Sequence, residues 1–322
     1  MEQKMRKKLL ELLSRNGFMS GEKIAEQLGV SRTAVWKQIN TLKEMGYKIT
    51  SVKNKGYHLE SRPDIPYPEE VCPKLNTKII GKNLYYFKTL SSTNLYAKEL
   101  INKGAEEGTV VVADTQTKGK GRKNREWFSP SGGLWFSVIL YPEKLQPNKS
   151  MLLTMAASIA VVEAIKTVTE TESKIKWPND VLINNKKVCG ILTELDAELD
   201  KINHAIIGIG INVNNELKKD LKEKATTLRN EVGTKVPRVK LLKTILKHLD
   251  ENYAELLKGK NDVVRKKWIQ YSKIVGKKIT VKDENTVIKG VVEKVDEEGY
   301  LILQTKEGKK TRILSGDIEY TV

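Results

Sequence analysis

The stretch "RPDIPYP" at residues 62–68 carries three prolines in seven positions, and it constrains the chain more than any other. Proline fixes φ and removes a backbone donor, so such a run continues neither a helix nor a central strand. The residue ahead of each proline is also pushed out of the helical region. The chain must therefore organise as separate segments on either side. Its 322 residues leave room for two or three domains with buried cores. The expected division is 1–62, a linker at 63–68, a large domain at 69–272 and a small one at 273–322.

Upstream of the prolines the pattern is helix, helix, helix, hairpin. "KMRKKLLELLSRNG" sets Met5, Leu9, Leu12 and Leu13 on one helical face, with Gly17 as the expected stop. Ser20 can cap "GEKIAEQL", which Gly29 terminates, and Ser31 can cap "RTAVWKQINTLKEMG", with Val35, Ile39 and Leu42 inward. A hairpin "YKITSVKNKGYHLE" follows, turning at Asn54, Lys55 and Gly56. This order resembles a winged helix-turn-helix, in which the third helix enters the major groove. On that resemblance Ser31, Arg32, Thr33, Trp36 and Lys37 are the residues expected at operator DNA. The bland alternative is a small protein-interaction domain. Residues 1–62 hold 13 Lys+Arg against 6 Asp+Glu, a net +7. That balance favours DNA.

Beyond the prolines, helical and strand-like segments mix without regular alternation. Helices are expected near 94–103, 150–166 and 237–258, and strands at "TVVVAD", "LWFSVIL", "VLI", "VCGILTEL" and "HAIIGIGINV". The fold class read from this is α+β with a large mixed sheet. From about 275, short alternating strands predict a small β-barrel. The apolar run "MLLTMAASIAVVEAI" reads as too short and amphipathic to span a bilayer, and "MEQKMRKKLL" lacks the apolar core of a signal peptide. Two cysteines, Cys72 and Cys189, give no disulfide framework and fit a reducing compartment, hence the cytoplasm. His58, His204 and His248 sit in unrelated contexts, so neither a zinc site nor a Ser-His-Asp triad is expected. A formal net charge of +17 favours polyanionic partners.

Four stretches of the middle domain invite a chemical reading. "SSTN" at 91–94 can cap the helix it precedes, or offer neutral hydrogen bonds to a polar head group. "TKGKGRKNREW" at 117–127 interleaves Lys118, Lys120, Arg122, Lys123 and Arg125 with Gly119 and Gly121. It is no Walker A motif, and reads either as an anion cradle or as a mobile basic loop. In "KIKWPNDVLINNKKVCGIL" (174–192), Lys187 begins a strand after a hairpin turn, where a lysine is ordinarily a strand-edge gatekeeper. "GIGINV" at 208–213 lacks the third glycine and following helix of a dinucleotide fingerprint. Gly208 and Gly210 instead let a ligand lie against the sheet.

Taken in order, S-S-T-N, Q-T-K-G-K-G-R with W-F-S-P, K-W-P-N-D, K-V-C-G-I-L and G-I-G-I-N-V resemble the biotin protein ligase family over most of residues 80–235. With the winged helix in front, the chain is similar to the family's bifunctional bacterial form, ligase plus biotin-operon repressor. The resemblance implies a class II synthetase-like catalytic domain and an SH3-like barrel. It departs from the common G-R-G-R-x-G-R loop at Lys120 and Asn124. Lysine cannot form the bidentate fork of arginine.

That resemblance implies a two-step reaction: biotin and ATP, with Mg²⁺, give biotinyl-5′-AMP, and a lysine of a biotin carboxyl carrier protein then takes the biotin. It assigns Ser92, Thr93, Asn94 and Gln116 to the biotin head group. Gly119, Lys120, Gly121 and Arg122 go to the carboxylate and phosphates, Gly133, Leu134, Gly190 and Leu192 to the pocket walls and floor. Lys187 would bridge carboxylate and α-phosphate, joined in catalysis by Arg122 and Asp180. Arg125, Trp127, Asn179 and Asn212 would meet ATP or the adenylate, with Trp127 stacking on adenine and Asn212 reading its edge. Asn179 and Asp180 stay open between metal contact and proton acceptance from an amine of pKa about 10.4. No protein-held metal cluster is expected.

The polar residues 214–236 resemble the family's adenylate-covering loop. The adenylate is further expected to act as corepressor by driving homodimerisation on operator DNA. Rival readings are a lipoate-protein ligase, which shares the catalytic fold, and a biotin-sensing regulator without chemistry.

Overall fold

The computed structural model describes residues 2–14, 17–283 and 286–320. They divide into two compact units, Met1–Pro73 and Lys74–Val322.

In the first unit, helices α1 (Glu2–Leu13), α2 (Gly21–Leu28) and α3 (Arg32–Glu44) precede an antiparallel hairpin of β1 (Lys48–Val52) and β2 (Gly56–Ser61). Leu9, Leu13, Ile24, Val35, Ile39 and Leu42 close its core. The helix starts follow the sequence: Ser20 accepts from the Lys23 amide at 3.2 Å and Ser31 from the Ala34 amide at 3.1 Å. Such caps stabilise a helix by about 1 kcal/mol each. Gly29 ends α2 in the left-handed region, and α1 ends at Leu13, ahead of the expected stop at Gly17.

The prolines do not end this unit. At the last of them, Pro68, the chain starts the short helix α4 (Pro68–Val71), tied back onto α1 and the hairpin. Arg6 donates to Glu69 at 2.7 Å, while Tyr47 and Arg62 donate to Glu70 at 2.8 and 2.6 Å. Glu69 is only 3% exposed, and a buried carboxylate is tolerated only when paired. These bonds carry the boundary expected at 68/69 on to 73/74.

The second unit is built on a seven-stranded mixed sheet. Its strands are β3 (Leu84–Leu90), β4 (Val110–Gln116), β5 (Leu134–Leu140), β6 (Lys174–Lys176), β7 (Asp180–Ile183), β8 (Lys186–Ala197) and β9 (Ile202–Ile211). They lie in the order β3-β4-β5-β9-β8-β7-β6, and only the β3/β4 pair is parallel. Helix α5 (Thr93–Asn102) connects that parallel pair, and α6 (Met151–Thr169) lies between the sheet and helices α8 (Arg238–Leu257) and α9 (Asn261–Ser272). A five-residue helix α7 (Leu228–Val232) sits before α8. The sequence of α8 sets Val239, Leu242, Leu246, Leu249, Tyr253 and Leu256 on one apolar stripe; all are buried except Val239, which is half-buried.

Helix α6 corrects one expectation. The stretch Pro147–Thr169 is long and apolar enough to cross a membrane, yet 72% of its most apolar window is buried. It is apolar on every side because sheet and helices enclose it, the signature of a core helix. Strands β10 (Lys278–Asp283), β11 (Thr286–Val295), β12 (Leu301–Gln304), β13 (Lys310–Ile313) and β14 (Asp317–Tyr320) make a separate antiparallel sheet ordered β13-β12-β11-β10-β14, the small C-terminal barrel domain. The first residue of β14, Asp317, reaches the basic loop of 117–127, which positions the site described next.

Candidate active site

Three glycines set the floor of a cavity of about 420 Å³. Gly190 on β8 faces Gly210 on β9, and Leu192 faces Gly208. A Cβ on Gly210 would come within 2.4 Å of the Trp127 indole nitrogen, and one on Gly208 within 2.3 Å of Asn94 Oδ1. On Gly190 it would stand 2.9 Å from the Trp127 ring. Side chains are absent here because other groups must touch the sheet backbone. Trp127 packs against this floor with Lys187 Nζ 4.9 Å from a ring centroid, a cation–π distance.

At one end of the cavity sits a neutral polar nest. Ser92, Thr93 and Asn94 are nearly fully buried. Ser92 occupies the N-cap position of α5 without a side-chain cap bond. The capping alternative is thus not realised: Gln116 Oε1 instead accepts from the Thr93 amide at 2.8 Å and from its hydroxyl at 3.1 Å. Gln116 Nε2 donates to Ser129 at 2.9 Å. Ser137 Oγ lies 2.7 Å from Thr93 Oγ1 and 2.6 Å from Asn94 Oδ1, and Asn94 Nδ2 donates to Glu194 at 2.6 Å. Burial works to raise the Glu194 carboxyl, but hydrogen bonds from Lys98 and Asn94 hold it below its ordinary range. It stays an acceptor and fixes the Asn94 amide.

The other end is cationic. Lys120, Gly121, Arg122 and Arg125 line it, opposite Asn179, Asp180 and Lys187. The basic loop is ordered: Arg122–Asn124 make a 3-10 turn, with Lys123 and Asn124 at positive φ. Arg122 donates to Asn179 Oδ1 at 3.2 Å, and Asn179 Nδ2 donates to the Ile191 carbonyl at 2.7 Å. The barrel clasps the rest of the loop. Arg125 bonds Asp317 at 2.5 Å, and Lys123 bonds Asp283 at 2.6 Å. Burial works to raise Asp317, yet the Arg125 hydrogen bond and the nearby Arg122 and Lys123 charges hold it low. Lys187 Nζ pairs with Asp180 at 2.6 Å, both side chains partly exposed.

A cover closes over the Lys187 end. The Lys187 amide donates to the Lys224 carbonyl and the Thr226 amide donates back to the Lys187 carbonyl, each at 2.9 Å. Leu217, Leu221, Lys224 and Ala225 thereby line the cavity. Asn212, 5% exposed, lines it at the end of β9.

Most residues expected from the sequence therefore converge: Ser92, Thr93, Asn94, Gln116, Lys120, Gly121, Arg122, Arg125, Trp127, Asn179, Asp180, Lys187, Gly190, Leu192 and Asn212 all line one cavity. Gly119, Gly133 and Leu134 are not among its lining residues. Gly119 packs under the Trp127 carbonyl, Gly133 gives its carbonyl to Arg238 at 3.1 Å, and Leu134 is a core residue of β5. Asp317, Glu126 and Phe128 line the cavity and were not anticipated. Asp317 lies 192 positions from Arg125 and no local pattern announces it. Glu126 and Phe128 flank Trp127 in the sequence.

In the first unit, Arg32, Thr33, Trp36 and Lys37 are exposed along the start of α3, behind the Ser31 cap. Trp36 is 54% exposed, unusual for an unpartnered tryptophan.

Comparisons with known proteins agree in each segment. Residues 86–212 match the biotin/lipoate A/B protein ligase family, residues 5–58 an HTH domain, and residues 274–320 the biotin protein ligase C-terminal domain. The chain is 42% identical to the bifunctional ligase/repressor BirA of Bacillus subtilis over 99% of both chains. It is 31% identical to the protein of that name from Escherichia coli over 64% of this chain and 63% of that one. The solved biotin protein ligase of Aquifex aeolicus in complex with biotin and ATP superposes with a TM-score of 0.66 at 34% identity, covering 74% of this chain and 99% of that one.

Proposed function

Because the chain belongs to the family of bifunctional biotin protein ligase/repressors, we propose that its cavity makes biotinyl-5′-AMP and passes biotin to a carrier lysine. The observation that carries this is the polarity of one cavity, neutral hydrogen-bonding groups at one end and converging cations at the other. A ureido ring needs uncharged donors and acceptors, supplied by Ser92, Thr93, Asn94 and Gln116. A carboxylate pressed against a polyphosphate needs positive charge. Like charges near contact repel by about 4 kcal/mol at an effective dielectric of 20. Lys187, Arg122, Arg125 and Lys120 reverse that repulsion.

In the first step a biotin carboxylate oxygen bonds the α-phosphorus and the bond to pyrophosphate breaks. Lys187 neutralises the charge that builds between the two reactants. In the second, the carrier amine bonds the acyl carbon, the bond to AMP breaks, and the amine gives up a proton. We read Asp180 as its acceptor. Mg²⁺ would enter with ATP, since among the described residues no three His, Cys, Asp or Glu side chains gather to hold a metal. The oxygens of Asn179 and Asp180 would share it, in exchange for their bonds to Arg122 and Lys187, and when bound it would supply further charge neutralisation on the phosphates.

The first unit supplies the second activity, repression at operator DNA through α3. A single winged helix reads one half-site, and paired half-sites need a symmetric dimer. The adenylate is read as corepressor: by holding the 117–125 and 214–236 segments closed over it, it lowers the entropy lost on pairing. A coupling of ~1–3 kcal/mol shifts dimerisation about 5- to 150-fold. Biotin-dependent exchange of labelled pyrophosphate into ATP tests the enzyme. Exchange driven by lipoate in place of biotin would make it a lipoate ligase, and none at all would leave a regulator.

A further inference from the structure

Asn215 lies three residues after Asn212 in the segment that follows β9, is 5% exposed, and does not line the cavity. Its oxygen accepts from the Val213 backbone amide at 3.0 Å. A backbone N–H can only donate, so this bond fixes which end of the Asn215 amide is oxygen. The Asn215 nitrogen is then the end that donates to Asn212 Oδ1 and to the Glu216 carbonyl, both at 3.2 Å. The same logic runs one residue further. Asn212 must turn its oxygen to Asn215, which leaves Nδ2 as its donor to the cavity. Its backbone is held independently, the amide bonded to the Val188 carbonyl and the carbonyl accepting from the Leu228 amide.

We infer that Asn215 is a positioning residue that sets the base preference of the nucleotide site by locking the Asn212 amide in one orientation. The inference rests on the reading of the cavity as an ATP site with Asn212 at the base. An amide with a fixed donor and one remaining oxygen lone pair matches adenine's N7 acceptor and N6 donor. Guanine presents an acceptor at position 6, where the oxygen of Asn212 would oppose it. Without the lock, Asn212 rotates and the two purines are no longer told apart by this pair.

Two substitutions test this in the full-length protein, by biotin-dependent pyrophosphate exchange with ATP and with GTP. Asn215→Ala removes the lock and should raise KM for ATP about tenfold, the scale of one bidentate base contact, with kcat and KM for biotin nearly unchanged. Asn215→Asp keeps size and still accepts from Val213, but offers only acceptors to Asn212. It should invert the Asn212 amide and lower the ATP-to-GTP preference in kcat/KM at least tenfold. Asn212→Ala is the reference, and adding Asn215→Ala to it should cost nothing further. If Asn215→Asp keeps the wild-type ATP-to-GTP preference, the lock does not exist. If it raises the KM values for ATP and biotin alike, Asn215 merely supports the loop and the inference is overturned. Wild-type protein without biotin-dependent exchange would instead sink the ligase reading itself.

Discussion

Replacing Lys187 with alanine should separate catalysis from stability. The ammonium lies 2.6 Å from Asp180 and over the Trp127 ring at 4.9 Å, and the two ion-pair side chains keep 31% and 22% of their exposure. Solvent therefore screens the pair. An exposed pair contributes about 0.2–1 kcal/mol, and the cation–π contact about 0.5–1. Losing both lowers stability by about 1–2 kcal/mol, or ~2–8 °C in Tm for a body of this size. The effect on chemistry is larger, because a fixed donor is withdrawn where charge develops. That costs about 3–4 kcal/mol of barrier, a 10²- to 10³-fold fall in rate. The assay is single-turnover formation of biotinyl-AMP at saturating biotin and ATP, set beside thermal melts of both proteins. A fall below tenfold in the chemical step, with substrates bound, would refute the assignment of Lys187 to the reacting atoms.

A chain starting at Lys74 should keep ligase activity and lose operator binding, whereas one starting at residue 64 strands Glu69 and Glu70 without Arg6 and Tyr47 and should be less soluble; gel filtration and exchange assays compare them. Gly210→Ala puts a methyl group 2.4 Å from the Trp127 nitrogen, so biotin and ATP binding by calorimetry should both weaken at least tenfold, and unchanged affinities would show that the floor does not touch ligand. Burial pushes the Cys189 thiol well above its ordinary range, which favours the neutral form; native protein should resist alkylation there from pH 7 to 9 and lose that resistance in denaturant, as mass spectrometry of the peptide reads.

Much of this was legible in residue order because the chemistry clusters in short runs. Asp180, Lys187 and Gly190 lie within one hairpin with Asn179 just ahead of it, and "GIGIN" delivers Gly208 and Gly210 on one strand with Asn212 just past its end. The caps at Ser20 and Ser31 and the α8 stripe were readable for the same local reason. What was missed depends on tertiary pairing. Asp317 and Asp283 reach the basic loop from a domain remote in sequence, and such contacts leave no periodicity. Strand β3, "LYYFKTL", sits at a sheet edge with mixed exposure, so its alternation is blurred. Helix α9, "NDVVRKKWIQYS", hides Val264 and Trp268 among charges. The proline stretch looked like a domain boundary because proline forbids regular structure. Proline does not forbid packing, and the buried Glu69 carried the unit past it.

Native mass spectrometry after incubating the protein with ATP and equal biotin and lipoate decides whether the cavity is a biotin-adenylating site. One retained adduct with the mass of biotinyl-5′-AMP is expected, formed with release of pyrophosphate and discharged when a carrier domain with its acceptor lysine is added. A retained lipoyl adenylate, or protein carrying intact ATP and biotin side by side, would contradict biotin adenylation in this cavity.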